Sequence, residues 1–191
     1  MARVNVREQL MEAGLRTLHA QGFNGCAVQD ITQAAGVPKG SFYNHFESKE
    51  ALAMAALDMF WDKGAARREV LSDSSLKPVE RLRGYFQSVA ASAARVNYER
   101  GCLIGNFSSE MTGNTAFRER LQHIYALWSA DIERCIDEAR TTEQLRVDLP
   151  TKALAAFIVN AWEGAVLRTK VEQNSSAFDD FQQVVFNGFF V

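Results

Sequence analysis

One stretch of this sequence decides its fold, and it reads Asp30-Ile31-Thr32-Gln33-Ala34-Ala35-Gly36-Val37-Pro38-Lys39-Gly40-Ser41-Phe42-Tyr43-Asn44-His45-Phe46, followed by Ser48-Lys49-Glu50. Two short helical segments meet at Gly36, a residue type that can adopt the left-handed conformation needed to reverse a chain tightly. The apolar side chains that should pack these segments onto a preceding helix are Ile31, Val37, Phe42 and Phe46. The pattern predicts a helix-turn-helix whose third helix is free to enter a DNA major groove.

Two lysines favour DNA binding over a plain helical hairpin. Lys39 and Lys49 both fall in the first turn of a predicted helix, where a cation opposes the helix dipole. A phosphate bound at that end would make each lysine favourable. Gly40 costs a helix about 1 kcal/mol relative to alanine, which a close backbone approach would explain. A single such lysine is better explained as a solvated side chain, so the prediction depends on the whole string.

Composition bounds the class of protein. The chain has 191 residues, of which 47% are hydrophobic and 23% charged, as expected for a soluble globular protein with one domain or two small ones. No apolar run is long enough to cross a bilayer and the first residues do not resemble a signal peptide, so we expect a cytoplasmic protein. The three cysteines are widely spaced, which indicates neither a zinc site nor a disulfide framework.

Net charge gives DNA binding no support. The chain carries a formal charge of −2, and its first 50 residues contain as many acidic as basic side chains, Arg3 included. Acidity opposes binding to phosphates by counterion release. Local placement of cations must therefore provide any affinity for DNA.

The remainder of the chain is predicted to be helical nearly throughout. A first helix opens at Asn5 and ends at Gln21-Gly22, and a second covers about 28–35. Ser48 caps a helix that runs to about Leu71. Later helices start at Pro78 (to about Tyr98), Thr115 (to about Arg140), Pro150 and Phe178. We expect a DNA-binding domain over 4–65, with its motif at about 28–47, and an effector-binding and dimerisation domain over 75–191.

The string closely resembles the TetR family of bacterial regulators. That family has a glycine-aromatic pair after helix 1, an acidic-aliphatic pair, Ala-Gly-Val, Lys-Gly, an aromatic pair, Phe and Ser-Lys-Glu. This sequence has Gly22-Phe23, Asp30-Ile31, Ala35-Gly36-Val37, Lys39-Gly40, Phe42-Tyr43, Phe46 and Ser48-Lys49-Glu50. The resemblance implies an all-α homodimer with a three-helix N-terminal domain, a palindromic operator in double-stranded DNA, and a C-terminal helical domain for a small effector. It implies no cofactor, no metal and no catalytic residues.

The resemblance assigns DNA contacts to residues of this sequence: Gln29, Pro38, Lys39, Gly40, Ser41, Tyr43, Asn44, His45 and Lys49. His45 is equally well explained as a partly buried aromatic against helix 1. The chain departs from the family where threonine and a second hydroxyl residue usually cap helix 2, because it has Cys26 and Ala27 there, and Thr32 replaces the usual alanine. The first departure removes a cap and a phosphate contact.

A second resemblance is carried by Gly101-Cys102-Leu103, Trp162-Glu163-Gly164-Ala165 and Lys170. These residues are similar to those of a TetR subgroup that includes regulators of N-ethylmaleimide reductase and of acrylate metabolism. A cysteine between Gly101 and Gly105 at a helix start lies near exposed backbone N–H groups, which favour the thiolate. The resemblance implies that Cys102 senses electrophiles or oxidants, with Lys170 as a cationic neighbour. The more common alternative is that Cys102 is a small buried hydrophobe.

The C-terminal half suggests a pocket and an interface. Candidate walls of an effector cavity are Phe86, Tyr98, Phe107, Tyr125, Trp128 and Trp162, although any single one is better explained as core. The phenylalanine-rich end of the chain predicts a two-fold dimer through Phe157, Phe178, Phe181 and Phe189. Alternatively, these side chains fold back into the monomer core.

Two other classes of protein remain as alternatives. An enzyme is disfavoured because the three histidines are far apart and no metalloprotease, di-iron, phosphate-loop or serine-hydrolase motif occurs. The pair Glu119 and His123, one helical turn apart, is more often a surface contact than a metal site. A helical interaction protein would not need the Lys-Gly start of the third helix. The effector and the direction of regulation are not encoded in any motif.

Overall fold

The computed structural model describes residues 5–191, and their regular structure is helical. Arg3 and Val4, the latter the start of the expected DNA-binding domain, lie outside the described residues. The elements in chain order are α1 (Val6–Gln21), α2 (Val28–Ala35), a 3₁₀ recognition segment (Lys39–Asn44), α3 (Lys49–Lys63), α4 (Ala65–Arg68), a 3₁₀ turn (Glu69–Ser72), α5 (Pro78–Ala94), α6 (Leu103–Glu110), α7 (Thr115–Thr141), α8 (Thr151–Glu172) and α9 (Ser176–Gly188). Within 5–191 one isolated bridge joins Leu145 and Phe190, so the all-α prediction is confirmed.

Several helix starts follow directly from the sequence. The Asn5 side chain accepts a hydrogen bond from the Arg7 N–H at 3.1 Å, and Ser48 Oγ accepts one from the Ala51 N–H at 3.1 Å. Both side chains satisfy N–H groups that have no partner inside the helix. Pro78 occupies the first position of α5, and Pro150 immediately precedes α8. These four starts confirm the prediction.

Two predicted helices end earlier than expected. α3 stops at Lys63 because Gly64 interrupts it, and the chain reaches Leu71 through α4 and the 3₁₀ turn. Glycine is a poor helix former, and here it ends the regular α-helical repeat. α5 stops at Ala94 because Asn97 and Tyr98 have φ values of 51° and 61°. The Tyr98 N–H then bonds to the Ala93 carbonyl at 3.0 Å, which closes the helix end.

The chain divides into two compact units, each made of two stretches. The first unit contains the residues up to Lys63 together with Cys102–Leu121, and the second contains Gly64–Gly101 together with Gln122–Val191. The expected division placed residues 102–121 with the second domain. They group with the first because α6 packs against α1 and α3.

The core of the first unit is a tight contact between α1 and α3. Leu10, Leu18, Leu52 and Leu57 are fully buried. A Cβ at Gly14 would lie 2.4 Å from Leu52 Cδ2, so the glycine allows the two helices to approach closely. Ion pairs of 2.7 Å join Lys63 to Glu12 and Arg120 to Asp58 at the periphery.

The core of the second unit is aromatic and centres on Trp162. Its ring stacks on Phe178 at 4.7 Å and meets Phe181 and Phe86 at 5.0 and 4.9 Å between centroids. Phe178 and Phe181 were expected at a dimer interface, but both are buried inside the unit, which is the folded-back alternative. The side of α9 that bears them faces α5 and α8.

A buried arginine fixes the segment before α5. The Arg81 guanidinium donates to the carbonyls of Leu76 (3.1 Å) and Leu71 (3.3 Å) and pairs with Glu138 of α7. The hydrogen bond with Glu138 raises the pKa of Arg81 further, so the side chain stays charged. Among residues 5–191, no helix is long and apolar enough to span a membrane.

Candidate nucleic-acid interface

The chain reversal between α2 and the recognition segment occurs at Gly36. Its φ of 66° and ψ of 30° are left-handed, a conformation that costs other residue types strain. The Gly36 N–H bonds to Gln33 O and the Val37 N–H bonds to Thr32 O, each at 3.0 Å. Both bonds satisfy carbonyls at the end of α2 and fix the direction in which the chain leaves it.

The recognition segment is a tight 3₁₀ helix rather than the expected α-helix. The Ser41 N–H bonds to Pro38 O at 2.9 Å, and the His45 N–H to Phe42 O at 3.0 Å, both three residues back. Such short segments are typical of 3₁₀ geometry. Phe42 is fully buried and Phe46 nearly so, with their ring centroids 5.8 Å apart. These two rings anchor one side of the segment, as predicted.

The opposite side of the segment is polar and faces solvent. Tyr43 is 60% exposed and leans edge-on against Phe42. His45 is exposed, which does not match the alternative that it fills the interface with α1. The other expected DNA contacts that are exposed are Gln29, Pro38, Lys39, Gly40 and Asn44, while Ser41 is half-buried. A Cβ at Gly40 would meet no described atom within 4 Å, so packing inside the chain does not require glycine there.

The two lysines have different surroundings. Lys39 is exposed, and its ammonium group makes no hydrogen bond or ion pair with any of residues 5–191. Lys49 Nζ donates to the carbonyls of Phe23 (2.9 Å) and Cys26 (2.8 Å) and lies 3.9 Å from the centre of the Phe23 ring. The ammonium group of Lys49 therefore holds the loop between α1 and α2, and its expected role as a phosphate contact stays a prediction.

The start of α2 is capped despite the unusual residues there. The Asp30 carboxylate accepts a hydrogen bond from the Ala27 N–H at 2.7 Å. This is half of a capping box, since Ala27 has no side-chain acceptor to return it. Burial raises the pKa of Cys26, the preceding thiol. The acidic residue at the third position of α2 was the sequence signal for this cap.

Cys102 occupies the N-cap position of α6, directly before Leu103, but its side chain makes no capping hydrogen bond. Its backbone is extended (φ −109°, ψ 128°). Its side chain is half-buried, whereas Cys26 and Cys135 are fully buried. Cys135 Sγ donates to Leu71 O at 3.1 Å, and burial raises its pKa to about 11. Cys102 belongs to the first unit and Lys170, on α8, to the second, so their expected pairing stays a prediction.

The expected pocket walls are divided between the two compact units, and their role stays a prediction. Phe107 packs against Phe117 in the first unit, and the other five belong to the second. Trp128 is buried and stacks on Tyr125, and its indole N–H has no hydrogen-bond partner among residues 5–191. A cleft of about 380 Å³ lies between α5 and α9, with Arg83, Gln87 and Gln182 among its lining residues. None of the six expected wall residues lines this cleft, but Phe178, which was expected at the dimer interface, does.

The residues expected at the dimer interface differ in their exposure to solvent. Phe157 is 52% exposed and contacts the half-buried Phe189 ring at 5.9 Å, whereas Phe178 and Phe181 are core. The exposed apolar side chains of α8 and α9 are Phe157, Leu167, Val171 and Val184. On α8 they recur at intervals that place them along one face. Sequence periodicity did not distinguish this face from the buried one.

A buried aromatic anchor, a left-handed glycine turn and an exposed polar segment define a helix-turn-helix DNA-binding regulator. Residues 10–56 match the family model described as bacterial regulatory proteins, tetR family, and residues 78–185 match the tetracyclin repressor-like C-terminal domain. The chain belongs to the TetR family. No group of three potential metal-ligating side chains occurs within the described range 5–191.

Three known proteins illustrate the similarity. The HTH-type transcriptional repressor DhaR of Mycobacterium sp. (strain GP1) is 43% identical over 97% of this chain and 93% of its own length. The crystal structure of a regulatory protein TetR from Rhodobacter sphaeroides has a TM-score of 0.90 at 33% identity, over 96% of this chain and 98% of that one. The repressor NemR of Escherichia coli is 26% identical over 89% of this chain and 86% of its own, and its reduced form has a TM-score of 0.85.

Proposed function

We propose that this protein is a transcriptional repressor that binds a palindromic operator as a homodimer and releases it in response to an effector or to thiol modification. One observation carries the DNA-binding part. The recognition segment is anchored by Phe42 and Phe46 on one side and exposes Tyr43, Asn44 and Lys39 on the other. Such a segment can present side chains to base edges while its aromatic anchors stay buried.

The exposed side chains suit two different tasks. Asn44 and Gln29 are amides, which can pair with adenine through two hydrogen bonds in the major groove. Lys39 is a cation whose side chain has no partner among residues 5–191, which suits a phosphate. We infer that Lys39 and Tyr43 fix the position of the segment on the backbone, and that Gln29, Asn44 and His45 read bases.

The DNA-binding proposal is tested by selecting duplexes from a random-sequence library with the full-length wild-type protein. We expect enrichment of a palindrome with half-sites one helical turn apart, about 34–36 Å. The double variant Lys39→Ala, Tyr43→Ala should bind this duplex at least about tenfold more weakly, since each lost contact is worth about 1 kcal/mol or more. Unchanged, salt-dependent binding by the double variant would overturn the contact assignment.

The homodimer is supported by the apolar face of α8 and α9. Leu167 and Val171 are 65% and 78% exposed, and Val184 lies on α9. Two copies of this helix pair would bury these side chains in a four-helix bundle around a two-fold axis. We expect Leu167→Glu to convert the dimer to monomers in sedimentation experiments, and the matched variant Lys152→Glu, on an exposed position of the same helix, to remain dimeric. A dimeric Leu167→Glu protein would contradict the proposed face.

The release step is proposed from Cys102, the half-buried thiol that precedes α6. Reaction with an electrophile at this position adds a group at the start of a helix. Treatment with N-ethylmaleimide should then weaken operator binding, and a coupling of about 1–3 kcal/mol would suffice. A Cys102→Ser protein that releases DNA equally well on treatment would show that the thiol is not the sensor. Lys170 and a small-molecule site near Trp128 or in the α5–α9 cleft remain parts of this proposal.

The proposed activity consists of binding, without a catalytic step. The proposed location of the protein is the cytoplasm, where a bacterial operator lies. An enzyme or a purely structural helical protein finds no comparable support. Neither would need an exposed Lys-Gly start to a segment that is otherwise anchored by buried aromatic rings.

A further inference from the structure

The loop between α1 and α2 (residues 22–27, here called the α1–α2 loop) is held by a glutamate from a distant part of the chain. Glu110, the last residue of α6, accepts a hydrogen bond from the Asn24 N–H through Oε2 at 2.6 Å. The other carboxylate oxygen, Oε1, lies close to Gly22. A Cβ added at Gly22 would be only 2.2 Å from this oxygen. Gly22 also has a φ of 77°, so both its backbone and its missing side chain fit this approach.

A residue of α3 with the opposite charge, Lys49, holds the same loop. Lys49 donates to the carbonyls of Phe23 and Cys26, while the Glu110 carboxylate takes the Asn24 N–H. The cation thus faces the oxygens of the loop and the anion faces one of its N–H groups. One turn earlier on α6, Asn106 Nδ2 donates to His19 O at 3.4 Å, near the end of α1. α6 therefore contacts the chain on both sides of Gly22.

The α1–α2 loop determines how α2 starts. Cys26 is joined to Phe23 by a backbone hydrogen bond of 3.4 Å, and the next residue, Ala27, is the cap of α2. α2 carries Gln29 and ends at Gly36, from which the recognition segment follows. A displacement of the loop would therefore shift the helix that precedes the recognition segment.

We propose that Glu110 is a positioning residue for DNA binding, which couples α6 to the α1–α2 loop and so sets the orientation of α2. This inference rests on the proposed function. The same contact provides a route of regulation from Cys102 to the α1–α2 loop. α6 begins directly after Cys102 and, at eight residues and about 12 Å, is a short rod with Glu110 at its other end. A movement of α6 reaches the loop through this carboxylate.

The test compares Glu110→Ala, Glu110→Gln and Glu119→Ala in the full-length protein, on the duplex selected by the wild type. Glu119 is the matched control, because it is an exposed glutamate of the same unit whose carboxylate makes no hydrogen bond or ion pair with any of residues 5–191. Removal of an acidic charge on its own should strengthen binding to DNA or leave it unchanged. Weaker binding by Glu110→Ala would therefore reflect lost positioning.

We expect Glu110→Ala to bind about tenfold more weakly than the wild type, with the same dependence on salt, because Glu110 neutralises no phosphate. Glu110→Gln keeps an acceptor for the Asn24 N–H without the charge, so its affinity should be intermediate. Glu119→Ala should bind at least as tightly as the wild type. Exchange of the Asn24 amide hydrogen, followed by NMR, should be faster in Glu110→Ala than in Glu119→Ala.

The inference is overturned if Glu110→Ala binds as tightly as Glu119→Ala, or if its Asn24 amide exchanges at the wild-type rate. If Glu110→Ala fails to fold, Glu110→Gln decides the question by the same two measurements. Failure of the wild type to select any duplex is a different outcome. It would overturn the proposed DNA-binding function, and the role of Glu110 with it.

Discussion

Replacement of Lys49 by methionine separates a lysine that holds the fold from one that contacts DNA. Methionine preserves the apolar length of the side chain over Phe23 but removes the ammonium group. The variant therefore loses the hydrogen bonds to Phe23 O and Cys26 O, of 2.9 and 2.8 Å, together with the cation–π contact. The positions of the two carbonyls then depend on the backbone alone.

The expected cost follows from these contacts. A hydrogen bond to a charged group contributes about 1.5–3 kcal/mol, but Lys49 is only half-buried, so water can replace part of each bond. The cation–π contact adds about 0.5–1 kcal/mol. We therefore expect Lys49→Met to lower the free energy of unfolding by about 2–3 kcal/mol, well beyond the effect of most surface substitutions.

The assay pairs Lys49→Met with Lys39→Met, whose side chain is exposed and makes no bond to the described part of the chain. Urea unfolding, followed by circular dichroism, gives stability, and binding to the selected duplex at several salt concentrations gives the number of phosphate contacts. Lys39→Met should keep wild-type stability within about 0.5 kcal/mol and lower the salt slope by about 1. Lys49→Met should lose stability and keep the salt slope.

The opposite pattern would refute this reasoning. If Lys49→Met unfolds at the wild-type urea concentration while its salt slope falls by about 1, Lys49 contacts phosphate and its bonds to the loop add nothing measurable.

Three further predictions concern Gly22 and the thiols. Gly22→Ala should destabilise the protein by about 1–3 kcal/mol in urea unfolding, because φ is 77° and the added Cβ would meet Glu110; a wild-type midpoint would show that the loop adapts freely. At pH 7.5, mass spectrometry should find Cys102 alkylated before Cys26 and Cys135, and equal rates at all three would contradict their burial. The raised pKa of Cys135, about 11 against an ordinary 9.0, predicts stability that is complete below pH 9 and lost as pH rises towards 11. A Cys135→Ala variant should lack this loss.

Local features of the fold could be predicted from the sequence because they are encoded by single residues. The left-handed turn at Gly36 and the helix starts at Asn5, Ser48 and Pro78 depend on residue types with one dominant preference. The buried side of the recognition segment followed from the spacing of its aromatic residues. The exposed polar face followed as its complement.

The contacts that depend on distant parts of the chain could not be predicted in this way. The bonds of Lys49 reach 23 and 26 residues back, and that of Glu110 reaches 86 residues back. The end of α5 at Ala94 was missed for a local reason, because the left-handed residues after it are Asn97 and Tyr98 and not the glycine expected at such a turn. Whether Phe178 points to the core or to a partner depends on which face of α9 meets α5 and α8, and periodicity leaves that open.

The first compact unit is discontinuous in the chain, since it needs Cys102–Leu121 as well as the residues up to Lys63. During synthesis, the N-terminal helices leave the ribosome well before α6 does. The hydrogen bond between the α1–α2 loop and Glu110 can therefore form only after α6 has emerged. The DNA-binding half is therefore completed only after more than half of the polypeptide has emerged. For the same reason, a fragment cut after α3 would carry every expected DNA contact yet lack part of its own core, so chimeric regulators should be joined beyond Leu121.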